Sequence, residues 1–406
     1  MCFRETDIML PKKSGEPGFM QKWSVVACDQ YTSDISYWNK IKEFVGMGMS
    51  SLNLIIPEIY LETEPEEAIG ERIKNIAETM EAYEKDLTCC KDSMFYIERT
   101  LKNGRVRRGL LGAVDLEEYD YKQGAGAKIR STEDTVASRI PPRVKIRENA
   151  LFELPHTMIL YDDEKDILMS EISENADKFE KVYDFELMQS SGRIAGYKLG
   201  EENISYVKTA LESLGTGGFT FAVGDGNHSL ATAKEYWEAV KKTLPPSEAS
   251  RHPARHALAE IVNIYDKSLE FEPIYRILFG VEPEDVIQKF NACYEIGANG
   301  HNFEIYCGGN RYVTTVKSGY NLPVKALQIF LDDYVQKYGG RIDYIHGRAE
   351  TIEFAKQSGA VGFIFDTMKK SDLFSAVRKD GALPRKTFSM GEADDKRFYL
   401  ECRRII

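Results

Sequence analysis

The sequence predicts an α/β fold of the mixed α+β class, because strand-like and helix-like patterns alternate along the whole chain. Asn103-Gly104 separates two apolar stretches, which is typical of a β-hairpin. A β-rich run at 219–223 is followed at once by a helical apolar stripe that includes Leu230 and Trp237. We expect the functional site where this strand meets this helix.

The length of 406 residues favours two domains, or one large domain with insertions. A hydrophobic fraction of 43% is enough for a folded core and excludes a disordered protein. A glycine- and proline-bearing stretch near 120–145 is a candidate boundary. We therefore expect an N-terminal region at 1–130, a central region at 131–290 and a C-terminal region at 291–406.

The formal net charge of −11 argues against broad nucleic-acid binding, which needs a basic face, and against docking on anionic membranes. A local basic cluster still allows a small anionic ligand such as a nucleotide. No apolar run approaches the roughly 20 residues of a membrane span, and the N-terminus shows no hydrophobic signal core. Seven cysteines without a Cys-x-x-Cys pair fit reduced thiols. We expect a cytoplasmic protein.

Element predictions for the first part of the chain follow from side-chain type and spacing. Residues 23–27 and 51–60 are rich in apolar and β-branched side chains and predict strands. Either Asp34 or Ser33 is placed to cap the helix that follows. Residues 65–86 carry apolar side chains at helical spacing, and the stretch 120–150 predicts a functional loop that enters a helix.

Element predictions for the second part include helices at 201–213 and 324–338, both from apolar side chains at helical spacing. Residues 254–266 predict a helix that leads into a strand. Residues 361–366 form a short apolar run that is typical of a buried strand.

The motif GDGNHS at 224–229 is the main site candidate. Gly224 and Gly226 permit a sharp turn and a close approach of a ligand to the backbone. The start of the helix offers N–H groups and the positive end of its dipole, which suit a phosphate group. Asp225 is placed to cap the helix, hold a metal or act as a base, and His228 points away from the apolar stripe. A capped helix with a solvated histidine is the plain alternative.

Arginines form the second candidate. Arg139 and Arg143 follow Glu133 in a segment that Pro141-Pro142 would stiffen. A guanidinium group binds phosphate or carboxylate through two parallel hydrogen bonds. The alternative is a solvated loop held by salt bridges.

Three further candidates carry weaker signals. Asp29 follows the strand predicted at 23–27, where α/β sites tend to lie, although a plain turn is the simpler interpretation. Lys386 could reach a phosphate, although a lone lysine is more often a surface residue. His252 and His256 stand four residues apart, but no third ligand accompanies them, so a surface pair is favoured over a metal site.

Three segments, in this order, resemble those of a widespread microbial family catalogued as a domain of unknown function: VVACDQYTSD, GDGNHSLATA and LPRKTFS. The family pattern runs through a DGHHR-x-x-TA turn to a late P-x-K-[ST]-x-F. The turn is also similar to that of ParB/sulfiredoxin-type nucleotide-binding proteins. The resemblance covers nearly the whole chain and implies a ParB/sulfiredoxin-like nucleotide-binding core with large additional α/β elaborations.

Some members of that family are ATP-dependent kinases of free L-serine. The resemblance therefore implies ATP and Mg²⁺ as cofactors, and phosphoryl transfer to L-serine or a similar small hydroxyl metabolite. Such a transfer needs phosphate binding, charge neutralisation and a base. On this basis we assign phosphate binding to the turn, with Gly224, Gly226, Asn227, His228 and Ser229. The cations that would clamp the phosphates or the substrate carboxylate are Arg139, Arg143 and Lys386. The catalytic candidates are Asp225, His228, Asp29 and Glu133, with Asp225 preferred as the Mg²⁺ ligand or base and Asp29 or Glu133 as the alternative base.

The sequence departs from the family pattern at three places, namely the turn, a later segment and the N-terminal motif. Ser229 stands at the arginine of the turn, Asn227 stands at its first histidine, and a later Pro-x-His-Arg segment lacks its histidine. The N-terminal Pro-Pro-Tyr-Asp is replaced by Ala-Cys-Asp-Gln. Either Arg139, Arg143 and Arg276 replace the lost cation, or the substrate differs.

Two other functions stay open. The same turn suits a nucleotide-binding regulatory protein without catalysis, and it suits a hydrolase of nucleotides or phosphoesters. The phosphate donor is ATP, ADP or pyrophosphate on this basis. The sequence also leaves open whether the chain forms a homodimer.

Overall fold

The computed structural model describes residues 2–27, 31, 34–122, 126–135, 137–215 and 218–406. The chain divides into two compact units. The first comprises Met1–Ser131, Thr135–Leu269 and Gly391–Ile406, and the second comprises Thr132–Asp134 and Glu270–Met390. Each unit combines a sheet with helices, which confirms the mixed α/β class. The three regions expected from the sequence stay a prediction.

The strands β1 to β13 and β20 belong to the first unit, and β14 to β19 belong to the second. In chain order they are β1 (Phe3–Arg4), β2 (Thr6–Pro11), β3 (Leu87–Ser93), β4 (Phe95–Thr100), β5 (Val106–Asp115), β6 (Tyr119–Asp120), β7 (Ile129–Ser131), β8 (Phe152–Glu153), β9 (Met158–Tyr161), β10 (Glu180–Glu186), β11 (Arg193–Lys198), β12 (Phe221–Asp225), β13 (His256–Asn263), β14 (Phe271–Phe279), β15 (Glu295–Cys307), β16 (Asn310–Lys317), β17 (Arg341–His346), β18 (Ala360–Phe365), β19 (Phe388–Met390) and β20 (Arg403–Arg404).

The helices α1 to α9 belong to the first unit, and α10 to α13 belong to the second. They are α1 (Pro17–Trp23), α2 (Ile35–Val45), α3 (Glu58–Thr63), α4 (Glu66–Glu84), α5 (Ile140–Glu148), α6 (Ile167–Glu174), α7 (Glu201–Leu214), α8 (Asn227–Lys241), α9 (Pro246–Ala249), α10 (Pro283–Cys293), α11 (Pro323–Tyr338), α12 (Arg348–Phe354) and α13 (Asp372–Asp380). The helices predicted at 65–86, 201–213 and 324–338 are confirmed as α4, α7 and α11. No helix in the described ranges is both long and apolar enough to span a bilayer.

A ten-stranded sheet forms the centre of the first unit within the described residues, in the order β10-β11-β4-β5-β13-β9-β12-β7-β6, with β1 paired to β5. β4 and β5 form the antiparallel hairpin predicted at Asn103-Gly104, where Gly104 adopts a φ of 81°. β12 lies between antiparallel β9 and parallel β7. The backbone of β12 is therefore held by a neighbouring strand on each side, and the turn begins at the end of this interior strand.

The strand predicted at 23–27 is wrong. α1 ends at Trp23, and Val25 forms only an isolated bridge with Tyr399. Val25 and Val26 are buried all the same. Burial of an irregular segment against a distant part of the chain produces the same apolar run as a strand.

Two other element predictions are also wrong. Residues 51–60 form a 3-10 turn at Ser51–Leu54 followed by α3, with Pro57 as the residue before the helix. The helix predicted at the start of 254–266 is the strand β13. β13 is buried on both faces, so apart from the ion-paired Glu260 its central residues are apolar without alternation. Such a pattern does not distinguish a strand from a helix.

The second unit contains a six-stranded sheet among the described residues, in the order β16-β15-β18-β14-β17, with β19 paired to β14. β18 is buried along its whole length, which confirms the strand predicted at 361–366. Phe271 of β14 pairs with Met390 of β19, so the two ends of the segment 270–390 lie side by side.

Residues 391–406 return to the core of the first unit. Arg397 is 4% exposed, and its guanidinium group donates to Glu260 at 2.8 Å and to Glu401 at 2.7 Å. Arg403 donates to Glu153 at 2.8 Å. Buried charges of this kind are tolerated only when they are paired and hydrogen-bonded, so the C-terminal segment completes the electrostatics of this core.

Candidate functional site

The turn at 224–229 is shaped by two glycines with different tasks. The pairing of β12 with β9 shifts register between Val223 and Asp225, which makes Gly224 the extra residue of a β-bulge. Gly226 precedes α8 with a φ of 80°, and a Cβ atom there would lie 2.8 Å from Oγ1 of Thr157 and 2.9 Å from its Cα. Only glycine fits such a position without strain. The strand, glycine turn and helix predicted from the sequence are confirmed here.

Asp225 sits at the end of β12 and holds two contacts through its carboxylate. Oδ1 accepts from the N–H of Gly226 at 2.9 Å, and Oδ2 lies 3.2 Å from Nζ of Lys396. The Asp225 side chain is 30% exposed and that of Lys396 is 15% exposed. A carboxylate and an ammonium group therefore lie together at the entrance to the helix, and both remain partly accessible.

The segment 391–397 carries Lys396, and two buried guanidinium groups hold its backbone through hydrogen bonds. Arg99 donates to the carbonyl of Asp394 at 2.8 Å, and Arg107 donates to the carbonyl of Asp395 at 2.7 Å. Burial, together with the nearby charge of Arg107, lowers the pKa of Arg99 to about 9. These carbonyl contacts hold the backbone of the segment, which leaves the Lys396 side chain directed at Asp225.

Tyr31 connects the N-terminal polar turn to the same segment. Its hydroxyl donates to Oδ1 of Asp394 at 2.7 Å, and its ring stacks on Tyr37 with centroids 3.6 Å apart. Lys102 also contacts the Asp394 carboxylate. Burial works to raise the pKa of Asp394, but the contacts with Lys102 and Tyr31 outweigh it and hold that pKa below its usual range. Asp29, the sequence-based candidate of this turn, lies outside the described residues.

The first turn of α8 carries Asn227, His228 and Ser229, all half-buried. The Oδ1 atom of Asn227 is buried and has no hydrogen-bond partner among the described residues. A buried acceptor of this kind costs about 1–3 kcal/mol unless a donor satisfies it. Because it lies at a helix start, whose first N–H groups have no partner within the helix, a polar ligand fits the position.

The arginine-bearing segment forms α5, which packs against α8. Pro141 and Pro142 lie in its first turn, where proline is tolerated because those N–H groups have no partner within a helix. Arg143 donates to the carbonyl of Arg139 at 2.8 Å, and both side chains are half-buried. The loop entering a helix predicted at 120–150 is thus confirmed for its helical part.

Glu133, Lys386 and Arg276 belong to the second unit. Oε1 of Glu133 accepts from the N–H of Thr387 at 3.2 Å. Lys386 is exposed, with a φ of 54° and its Nζ 5.4 Å from the ring centroid of Tyr344.

Arg276 is fully buried in the second unit. Its guanidinium group donates to the carbonyls of Lys386 at 2.9 Å and Arg385 at 3.1 Å, and to Gln328. It therefore supports the loop that carries Lys386 and has no surface left for a ligand, which removes it as a replacement for the missing motif arginine.

Sequence analysis missed Lys396 and Thr157. Lys396 stands in the charged run Asp394-Asp395-Lys396-Arg397, which has the composition of an ordinary solvated surface. Lys396 approaches Asp225 because the chain returns to the first unit after residue 390. The spacing of neighbouring residues does not predict this contact.

The oxygen ligands available at the turn decide whether Mg²⁺ fits there. Among the described residues, no three His, Cys, Asp or Glu side chains cluster as a metal cage requires. Mg²⁺ is commonly bound by one or two carboxylates together with substrate phosphates and water. Asp225, which is partly exposed, fits that mode as a single ligand.

Comparison with protein families gives one match that spans most of the chain. The family described as "Protein of unknown function (DUF1015)" matches residues 10–334. The chain belongs to this family. The turn at 224–229, with Asp225 and α8, lies inside the matched part of this DUF1015 protein, whereas Lys396 lies beyond it. The resemblance to a catalogued family of unknown function is thereby confirmed.

Several solved structures are similar to this DUF1015 protein at low identity. A free serine kinase variant in complex with ADP has 9% identity and a TM-score of 0.41, covering 73% of this chain and 92% of that chain. A conserved hypothetical protein from Pyrococcus furiosus has 11% identity and a TM-score of 0.36, covering 69% and 89%. C-terminally truncated SbnI from Staphylococcus aureus has 9% identity and a TM-score of 0.37, covering 69% and 82%. Among curated proteins, none matches.

Proposed function

We propose that this chain is a small-molecule kinase that transfers the γ-phosphoryl group of ATP to the hydroxyl of L-serine or a similar metabolite. The observation that carries the proposal is the turn at 224–229. A bulged strand end and a positive-φ glycine place the Asp225 carboxylate beside a helix start, and the segment 391–397 brings Lys396 to the same partly accessible carboxylate. Phosphoryl transfer relies mainly on positioning and charge stabilisation, and these groups supply both.

Phosphate binding is assigned to the first turn of α8. Gly224 and Gly226 shape the backbone of the turn, and Asn227, His228 and Ser229 offer polar side chains beside the positive end of the helix dipole. Lys396 adds the cation that the motif lacks at Ser229. Arg139 and Arg143 are proposed as clamps because α5 packs against α8.

The chemical step balances as follows. The substrate hydroxyl oxygen forms a bond to the γ-phosphorus, the bond from that phosphorus to the β,γ-bridging oxygen breaks, and ADP leaves. The hydroxyl proton passes to a base, for which Asp225 and His228 are the candidates in the first unit and Asp29 is the candidate in the N-terminal turn. Mg²⁺, held by Asp225 together with phosphate oxygens, would neutralise charge on the phosphates.

The second unit offers two candidates of its own. Glu133 is proposed as an alternative base and Lys386 as a clamp on a phosphate or on the substrate carboxylate. The positive φ of Lys386 is a strained backbone conformation for a residue with a side chain. Strained conformations of this kind cluster at functional sites.

One incubation tests the proposal against its rivals. The purified chain is mixed with Mg²⁺, a pool of amino acids and small alcohols, and ATP, ADP or pyrophosphate in separate reactions, and products are identified by mass spectrometry. We expect a new O-phosphorylated metabolite that disappears with Asp225→Asn. ADP and free phosphate without an acceptor product would favour a hydrolase. Nucleotide binding without any product would favour a regulatory protein.

A further inference from the structure

A polar cavity lies in the first unit, and none of its lining residues belongs to the turn at 224–229. Its volume is about 400 Å³. Residues from β1, β5, α7, the segment after α9 and the start of β13 line it, so it is built by elements far apart in sequence. The lining residues are Arg4, Asp115, Lys208, Ser250, Arg255 and His256.

The charges of this cavity are unevenly compensated. The Nη2 atom of Arg255 lies 2.6 Å from Oδ2 of Asp115, and Lys208 donates to Glu5 at 2.9 Å. Arg4 is exposed and has no hydrogen bond or ion pair from its guanidinium group to the described residues. The cavity therefore carries a positive surplus, although the whole chain has a formal charge of −11.

His256 adds a neutral ring to the cavity. It is the first residue of β13 and pairs with Asp115 in register. Burial lowers the pKa of His256 to about 4; the positive charges of Arg403, Arg4 and Arg255 act in the same direction, and Asp115 opposes them. The ring is therefore neutral at pH 7 and offers one N–H donor and one acceptor nitrogen.

We propose that this cavity binds a small oxyanion, the phosphate or carboxylate group of a metabolite, with Arg4 as its principal contact and Lys208 and His256 beside it. A planar guanidinium group without a carboxylate partner suits both groups through two parallel hydrogen bonds. None of the lining residues belongs to the turn at 224–229 or to the segment 391–397, so this binding stands independently of the proposed kinase activity.

The test follows the histidine rings by NMR. The full chain carries ¹³C-labelled histidine, of which it has six residues, and the His256 signal is assigned with His256→Asn. Inorganic phosphate and succinate are titrated separately against sodium chloride at equal ionic strength. We expect a saturable shift of the His256 signal and an upward move of its titration, because a nearby anion favours the charged imidazole. The stronger of the two anions identifies the phosphate or the carboxylate as the preferred group.

Two variants decide which residue binds the anion. Arg4→Gln is expected to weaken binding about tenfold or more, since a charged hydrogen bond is lost. Arg105→Gln, which removes an exposed arginine of the same unit, is the matched control and should leave the affinity unchanged. If Arg4→Gln fails to fold, Lys208→Gln replaces it with the same expected direction. The proposal is overturned if neither anion gives a saturable shift, or if the variants bind as tightly as the natural chain.

Discussion

The Nζ atom of Lys396 lies 3.2 Å from Oδ2 of Asp225, although the two residues belong to distant parts of the chain. Asp225 ends a strand in the interior of the sheet, and Lys396 stands on a segment held by Arg99 and Arg107. The ion pair therefore joins two parts whose positions are fixed separately. Lys396 is therefore held beside the residue that immediately precedes Gly226 and the start of α8.

Replacing Lys396 by Met is expected to weaken ATP binding about tenfold or more, because it removes the cation beside the helix start. The free energy of unfolding should change by less than about 1 kcal/mol, since partly exposed ion pairs contribute little. Isothermal titration calorimetry with ATP measures the first effect and urea unfolding the second. Lys102→Met is the matched control, because Lys102 contacts the same segment through Asp394. Unchanged ATP affinity in Lys396→Met would exclude Lys396 from the site.

Replacing Gly226 by Ala is expected to destabilise the first unit by about 2–4 kcal/mol, because the positive φ and the approach of Cβ to Thr157 both cost energy. Tryptophan fluorescence during urea unfolding measures this, since Trp23, Trp38 and Trp237 all lie in that unit. Gly70→Ala is the control: it lies in α4 with no atom within 4 Å of the new Cβ, so we expect about 0.5–1 kcal/mol of stabilisation. Equal effects at both positions would contradict the strained turn.

Arg143 and Arg147 lie on the same helix, but their replacement by Ala should affect different properties, namely ATP binding for Arg143 and stability for Arg147. Arg143→Ala is expected to weaken ATP binding about tenfold with little loss of stability. Arg147→Ala should cost about 2 kcal/mol, because Arg147 lies 2.5 Å from buried Glu153. Among the described residues, Glu153 then keeps only Arg403 as a cationic partner. Calorimetry and urea unfolding separate the two. A stability loss confined to Arg143→Ala would reverse this assignment.

How much the sequence predicts depends on how local each feature is. The turn at 224–229 was found because its strand, glycines and helical stripe are adjacent, so neighbouring residues define the whole unit. The hairpin at Asn103-Gly104 was found for the same reason. The ion pair of Lys396 with Asp225 is not predictable in this way, because only the folded chain brings these two distant residues together.

The wrong elements have a related cause. Residues 23–27 and β13 are both apolar, yet one is irregular and the other is a strand. Burial from all sides erases the alternation of polar and apolar side chains by which strands and helices are distinguished. The second unit's Arg276 shows the same limit for charges, since an arginine buried under a loop has the same sequence signature as one that binds a ligand.

His256 should make the stability of the first unit depend on pH. Its pKa is lowered from 6.5 to about 4 by burial, so the unfolded chain binds the proton more readily than the folded chain. Stability is therefore lost as the pH falls from about 6.5 towards 4. Relative to His256→Asn, the natural chain should lose roughly 1–3 kcal/mol between pH 7 and pH 4.5, measured by tryptophan fluorescence in urea. His346→Asn, at an exposed histidine, is the control, and identical pH slopes in all three proteins would contradict the prediction.

The return of residues 391–406 to the first unit has a consequence for synthesis on the ribosome. Glu260 and Glu153 are buried in that unit, and their partners Arg397 and Arg403 are translated only after the whole segment 270–390. Domains usually fold in the order in which they emerge. Here the first unit to begin translation is the last to be completed. While the second unit is made, the described ion-pair partners that have already been translated are Arg107 for Glu260 and Arg147 for Glu153. Translation stalled before Gly391 would leave a chain that chaperones should recognise.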